Sequence, residues 1–460
     1  MQNGANLPSG EPWGQRLWLT LAAVVVVAAC LQSYGINKWP MADDEVLSLV
    51  TLGLQHVDAA MFSFPPDLIE KLPRATPFWH TVQRSALDLL PNDVVGFRLP
   101  SVICGTLTSA FVFLLAARWR GMWYAVALSI VLNGSQLFIL VSQVNRFYSM
   151  PLLLLILALA AMWLPYGRTS MVLVTGLLAL ATVLSHNVTV AVFGLALVAS
   201  CTTYLLGRAP RRVVIRSGAA FAVAGLVYVT YLLPLVRGWS TTGNPTPVLV
   251  SFAAYAGVPT LTLGLLGGWL SVAQPDGGEP ALWWVLVLAG SLCTFEVSTF
   301  SWNPRYFVFF LPALWVLAAD AIHFVARRMN YGATGAVWYA CVVILFLPNL
   351  LSHYQDGSRH DFRQAAAVLV NNDRLEQPIL SDDAETLSYY LPADLRQRLS
   401  VRTKAKEFPR SAFFLVSRSN AWMALPQISG RRMDLLAEIY RRRYDEFSHV
   451  LRVYRVEAEP

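Results

Sequence analysis

Three consecutive carboxylates, Asp43, Asp44 and Glu45, follow closely on the first long apolar segment of the chain. An apolar run with helical spacing (Val46, Leu47, Leu49, Val50) comes directly after them. Carboxylates beside a membrane interface are costly unless they are paired, solvated or used. Used, such a group is a general base that can take the proton of a hydroxyl. Adjacent acids in a dry site push their pKa values apart, which would suit one of them better for that work. The triplet also reads as the first turn of a helix, where acids interact favourably with the backbone dipole. The two readings are compatible, because a helix start is a rigid mount for a carboxylate.

Two arginines supply the complementary charge. Arg146 lies in Asn145-Arg146-Phe147-Tyr148 and Arg305 in Asn303-Pro304-Arg305-Tyr306, each between apolar segments and each close to a tyrosine. A guanidinium fork binds phosphate in bidentate fashion, so an anionic partner of that kind is the natural one. The alternative is snorkelling of the long side chains toward lipid headgroups. Of the histidines on the same side (His56, His80 and His186), His80 lies in the acidic loop, directly after Pro77-Phe78-Trp79. Isolated histidines are more often satisfied structural groups than ligands.

The elements that must position these residues are membrane helices. The chain of 460 residues is 55% hydrophobic and only 14% charged, with a mean hydropathy of +0.48. A soluble domain carries roughly a quarter charged residues. Residues 1–352 hold 18 of the 35 Lys and Arg and 13 of the 28 Asp and Glu. The chain is therefore a long apolar body followed by a short, ordinarily charged tail. A bilayer-crossing helix needs roughly twenty apolar residues. Segments meeting that need lie near 17–34, 97–117, 122–142, 149–165, 170–185, 188–206, 214–236, 252–273, 281–298, 305–326 and 333–352. This gives a polytopic α-helical membrane protein with about eleven transmembrane helices.

Arg118 and Arg120, Arg168, the run Arg208 to Arg216, and Arg327 with Arg328 fall on alternate loops of one side. Positive charge marks the cytoplasmic side. The loop 35–96, the 145–148 turn, the segment 237–251 and everything after 352 then lie outside. Of 13 acids before residue 353, eight lie between Asp43 and Asp93, and none between Asp93 and Asp276. The first apolar segment runs on to about Tyr34 without a cleavage signal and is expected to be a retained anchor. The formal charge of +7 sits at helix ends, a pattern of membrane orientation and not of nucleic-acid binding. All five cysteines fall in apolar stretches, without CxxC spacing, and behave as small hydrophobes.

Residues 1–352 thus form a transmembrane domain and residues 353–460 an extracytoplasmic one. In the tail, 362–371 reads as an amphipathic helix, and 378–381, 411–416 and 450–456 as strands. The stretch 431–444 reads as a second helix. Alternation of this kind predicts a small C-terminal α/β domain. Asp382-Asp383 follows a strand with no partner evident in the sequence.

Several of these residues together resemble the GT-C superfamily of membrane glycosyltransferases, which use lipid-phosphate-linked sugars. Within it the chain is similar to bacterial relatives of protein O-mannosyltransferases and of lipid A aminoarabinose transferases, over most of residues 15–395. Asp44-Glu45 looks like the superfamily's Asp-Glu signature, and Phe97-Arg98-Leu99-Pro100-Ser101 like its Arg-Leu-Pro-Ser segment. Asn145-Arg146-Phe147-Tyr148 resembles its Arg-x-Tyr turn, and Arg305-Tyr306 its late helix start. Asp361-Phe362-Arg363 and Tyr389-Tyr390-Leu391 resemble the soluble tail of bacterial members. Two departures stand out. Thr76-Pro77-Phe78-Trp79-His80 replaces a His-Pro-Pro stretch, and the second external loop has no further acid.

The resemblance implies transfer of a sugar from a polyprenyl-phosphate donor to an acceptor hydroxyl outside the cytoplasm, at a bacterial inner membrane. Asp44, or Glu45 beside it, would be the base, with Asp43 and His80 in support. Arg146, Tyr148, Arg305 and Tyr306 would bind the donor phosphate. A divalent metal ion is a further cofactor that relatives would allow. The acceptor is a protein, lipid or glycan. Competing readings are a transporter or flippase of a lipid-linked sugar and a non-catalytic partner in cell-envelope glycan assembly. No duplicated halves with broken mid-membrane helices, which a transporter favours, are evident.

Overall fold

The computed structural model describes residues 12–41, 43–53, 61, 67–90, 94–166, 169–236, 252–253, 256–273, 279–297, 304–329, 331–356, 360–372, 377–402, 408–419, 428, 430–440 and 450–458. The side chains of Asp43, Asp44 and Arg305, and the segment 237–251, lie outside the described residues.

Among the described residues, each expected span contains helix. In chain order these are α1 (Pro12–Ser33), α5 (Val94–Arg120), α6 (Met122–Gly134) with α7 (Gln136–Gln143), α8 (Ser149–Trp163), α9 (Thr169–Ser185), α10 (Thr189–Leu205) and α11 (Arg211–Val227). The last continues through a π-helical turn, Tyr228–Leu232, to Val236. Then come α12 (Val258–Ala273), α13 (Glu279–Val297), α14 (Leu311–Arg328) and α15 (Ala333–Asp356). Among the described residues four helices are long and apolar enough to cross a membrane unaided, and α6 with α7 makes a fifth. Several others are apolar but shorter.

Packing sorts the helices into layers. α6, α7, α8 and α14 are buried along most of their length and form the centre. α1, α9, α10, α11 and α15 present large apolar side chains outward, among them Trp18, Leu173, Val198, Leu226 and Ile344. A soluble protein rarely exposes so much apolar surface, whereas lipid accepts it.

In the membrane body two details differ from the sequence expectation. The segment 122–142 is not one straight helix: α6 and α7 meet at 64°. The break falls at Ser135, whose backbone is extended, and Gly134 beside it has the Phe346 ring where a Cβ would lie. The bend aims the end of α7 at the 145–148 turn. The loop 35–96 is itself largely helical among its described residues, as α2 (Asp43–Thr51), α3 (Asp67–Ala75) and α4 (Pro77–Leu87).

The tail carries α16 (Phe362–Asn372), β1 (Ile379–Ser381), α17 (Ala384–Tyr390), α18 (Ala393–Arg396), β2 (Leu399–Val401), β3 (Phe413–Ser419), β4 (Met433–Tyr440) and β5 (Val450–Val456). They build one sheet of order β2-β1-β3-β5-β4, parallel at β1 and antiparallel at β5. The expected helix at 431–444 is therefore wrong: its described part is strand β4. β5 offers a second edge, and pairing with it overrides the local helical pattern. A bulge between Leu435 and Ala437 adds one residue to β4 and shifts its alternation. Such a shift blurs the period of two that marks a strand in sequence. Asp382 and Asp383 do have partners: Arg402 at 3.3 Å from Asp382, and Arg418 at 2.8 Å from Asp383.

Candidate active site

α2 starts at Asp43, so the acidic triplet forms its first turn. Glu45 points into the body and is fully buried. Its partner is Arg98, near the start of α5 and equally buried. Arg98 Nε donates to Glu45 Oε1 and Nη2 to Oε2, both at 2.6 Å. The remaining N–H groups of Arg98 spread over the approach to α2. They reach the carbonyl oxygens of Ile36 at 2.5 Å, Pro40 at 3.1 Å and Trp39 at 3.3 Å. A bidentate guanidinium pair of this kind adds geometric restraint to its energy.

Glu45 Oε1 also accepts the backbone N–H of Asn145 at 3.0 Å. That bond ties the acidic helix to the turn that carries Arg146 and Tyr148. The turn is tight: Arg146 N–H reaches the Val144 carbonyl, and Tyr148 N–H the Arg146 carbonyl, each at 2.8 Å. From the other side, Gln83 of α4 donates its amide to Asn145 Oδ1. Both carboxylate oxygens of Glu45 are thus engaged by donors.

Arg146 is buried, its guanidinium carbon 4.3 Å from the Phe147 ring centre. Tyr148 and Tyr306, far apart in sequence, approach to 6.2 Å between ring centres. His186, in the short link from α9 to α10, stands between them, 5.7 Å from Tyr148 and 5.0 Å from Tyr306. Phe309 closes the group at 4.7 Å from His186. Tyr306 and Phe309 belong to a 3-10 turn, Pro304–Phe309, that places the Arg305 backbone beside the cluster.

Charge and burial keep the nearby histidines neutral. His186 is pushed down to about 3, first by desolvation and then by Arg146. The same two causes, in the same order, push His80 down to about 4. His186 Nδ1 accepts the Val188 N–H at 3.3 Å, which leaves the proton on Nε2. That Nε2 is buried without a hydrogen-bond partner among the described residues. No three His, Cys, Asp or Glu side chains gather as a metal-ligand set among the described residues.

Of the residues singled out in the sequence, Glu45, Arg146, Tyr148 and Tyr306 are brought to one end of the bundle, with His80 close to Arg146. Arg98, Asn145, Gln83 and His186 join them. For Arg98 the signal was present, since it lies in the Phe97–Ser101 segment already noted and, like Arg305, near a helix start. His186 carried only its residue type and its expected place on the same side as His80.

A helical membrane body, a polar cluster at one end and a small sheet domain beside that cluster define a recognisable class of fold. Solved structures show it in full. ArnT from Cupriavidus metallidurans in the apo state aligns with a TM-score of 0.55 at 16% identity, over 96% of this chain and 98% of that one. The same protein bound to undecaprenyl phosphate aligns at 0.53 and 15% identity, over 95% and 97%. The archaeal oligosaccharyltransferase AglB from Archaeoglobus fulgidus, in complex with an inhibitory peptide and a dolichol-phosphate, aligns at 0.51 and 11% identity, over 88% and 70%. The expected polytopic helical body with a small C-terminal sheet is the fold shared with these membrane proteins. No family model and no curated protein matches the sequence.

Proposed function

We propose that this chain is a glycosyltransferase that moves a sugar from a polyprenyl-phosphate donor to an acceptor hydroxyl on the extracytoplasmic face of a bacterial inner membrane. The observation that carries the proposal is the bond from Asn145 N–H to Glu45. It joins the acidic first turn of α2 to the Arg146–Tyr148 turn. In this reading the base and the phosphate clamp are neighbours across that bond. The whole-length likeness to ArnT, which binds undecaprenyl phosphate, supports the donor class.

In this reading Asp44 takes the proton of the acceptor hydroxyl, whose oxygen attacks the anomeric carbon. The bond from that carbon to the lipid phosphate breaks, and the phosphate leaves with the electron pair. Arg146 and Arg305 hold the developing charge, and Tyr148 and Tyr306 donate hydrogen bonds to it. Glu45, committed to Arg98 and Asn145, orients the acidic turn and is the poorer base of the two. Asp43 and His80 support the same turn. Eleven spans with the tail outside are part of the proposal.

Sugar transfer from a panel of polyprenyl-phosphate sugars, in detergent, is the test. We expect transfer by the wild type, and loss by about a hundredfold or more in Asp44→Asn, as removal of a general base predicts. Arg305→Ala should lose a similar factor. Full activity in Asp44→Asn removes the proposed base. A wild type that transfers nothing, yet moves a labelled lipid-linked sugar across vesicles, is a transporter.

A further inference from the structure

The segment 36–41 has no regular secondary structure; turn bonds to the Ser33 and Gly35 carbonyls satisfy the Ile36, Lys38 and Trp39 amides, and the other groups need partners from elsewhere. Arg98 takes three of its carbonyls. Pro40 has no N–H to give. The next N–H, of Met41, donates at 2.5 Å to the hydroxyl of Tyr390. Tyr390 is the last residue of α17, in the C-terminal domain and 349 positions away.

This contact is built, not grazing. Met41, Val46 and Phe97 form a small buried cluster, and the Tyr389 and Tyr390 rings pack against it. The two rings meet edge to face at 4.9 Å. A second strut is the bond from Arg363 to the Lys38 carbonyl at 3.2 Å. Burial pushes the Tyr390 hydroxyl up to about 12, so it stays protonated and accepts through its oxygen lone pairs. A domain that only capped the bundle would need the apolar contact and not a hydrogen bond to one amide.

We propose that the C-terminal domain is a working part of the active site, with Tyr390 as a positioning residue that holds the Met41 amide and so orients the acidic turn at 43–45. The proposal rests on the transferase reading for its catalytic consequence, though the latch itself does not. The loop is gripped from two directions: Arg98 holds its carbonyls from the membrane body, and Tyr390 holds its amide from the tail. Released on one side, the turn samples more orientations, and a base displaced by about 1 Å loses rate steeply.

Tyr390→Phe keeps the ring in the cluster and removes only the acceptor oxygen. Hydrogen exchange of the 38–47 peptide should show the Met41 amide exchanging about three- to tenfold faster than in the wild type. Turnover should fall about tenfold, while the Kd for polyprenyl phosphate stays within about twofold of wild type, since no clamp residue is touched. Unchanged exchange at Met41 overturns the latch. Faster exchange with undiminished turnover overturns the positioning role. Should the wild type transfer nothing from any donor, the transferase reading fails while the exchange measurement still decides the latch.

Discussion

Helix α5 carries an arginine–carboxylate pair at each end, and the two behave differently. Arg98 and Glu45 have fully buried side chains, whereas Arg120 and Asp320 retain 26% and 13% exposure. They are separated by 22 residues of one helix, roughly 33 Å. At the far end, Arg120 pairs with Asp320 of α14 and lies 4.9 Å over the Tyr124 ring, beside an apolar cavity of about 350 Å³ lined partly by Trp119, Ile156 and Trp284. One Asp320 oxygen is buried with no hydrogen-bond partner among the described residues. That pair staples helix to helix. Arg98 instead distributes its donors over a carboxylate and three loop carbonyls, so it organises a segment with no structure of its own. An ion pair contributes little to fold stability when alternatives of equal volume exist, and its use lies in the geometry it imposes.

Breaking both pairs tests this contrast. Arg98→Met leaves Glu45 buried and unpaired, which should cost about 3–5 kcal/mol of stability. It should also reduce transfer by about a hundredfold or more through misplacement of the acidic turn. Arg120→Met should lower the Tm but leave turnover of the folded enzyme within about threefold, because a partly exposed pair is worth less and orients no reacting group. Equal loss of turnover in both variants would erase the distinction.

Two smaller changes sharpen it. Gln83→Leu leaves Asn145 Oδ1 in the buried site without its donor, a loss of about 1–3 kcal/mol. It should raise KM for the lipid donor severalfold. Gly267→Ala sits toward the other end, where a Cβ would collide with the Leu317 carbonyl as α12 crosses α14. Overpacking there should cost about 1–3 kcal/mol in thermal unfolding with no change in KM.

The smallest effect concerns pH. His80 and His186 have folded pKa values of about 4 and about 3, below the unfolded 6.5. The unfolded state therefore binds more protons below pH 6.5, and stability falls as pH drops from there toward 4. Above pH 7 both are neutral in either state and contribute no slope. The Tm of His80→Gln should depend less on pH between 4 and 6.5 than that of the wild type. Parallel Tm curves would contradict the burial of a neutral His80.

Much of the molecule was legible from local information. The apolar segments report themselves by composition, and four of the described helices, with the α6–α7 pair as a fifth, also by the length that lipid imposes. The acidic triplet at a helix start and the tight turn at 145–148 were visible from residue type and position. Strands β1, β3 and β5 followed from β-branched and aromatic runs. β4 was missed because its bulge scrambles the alternation and only β5 reveals its pairing. The bend between α6 and α7 was missed because no Pro marks the extended backbone at Ser135 that breaks the helix.

What the sequence by itself determined is the membrane body, the sign and rough place of its charges, and the candidate clamp residues. Those rest on hydropathy and charge, which are properties of short windows. Tertiary structure decided which carboxylate is committed and which side chains meet. Arg98 with Glu45, Gln83 with Asn145, His186 with Tyr306 and Tyr390 with Met41 are separated by tens to hundreds of positions. Such pairings are made by helix packing and loop closure, and no local pattern encodes the partner of a buried polar group.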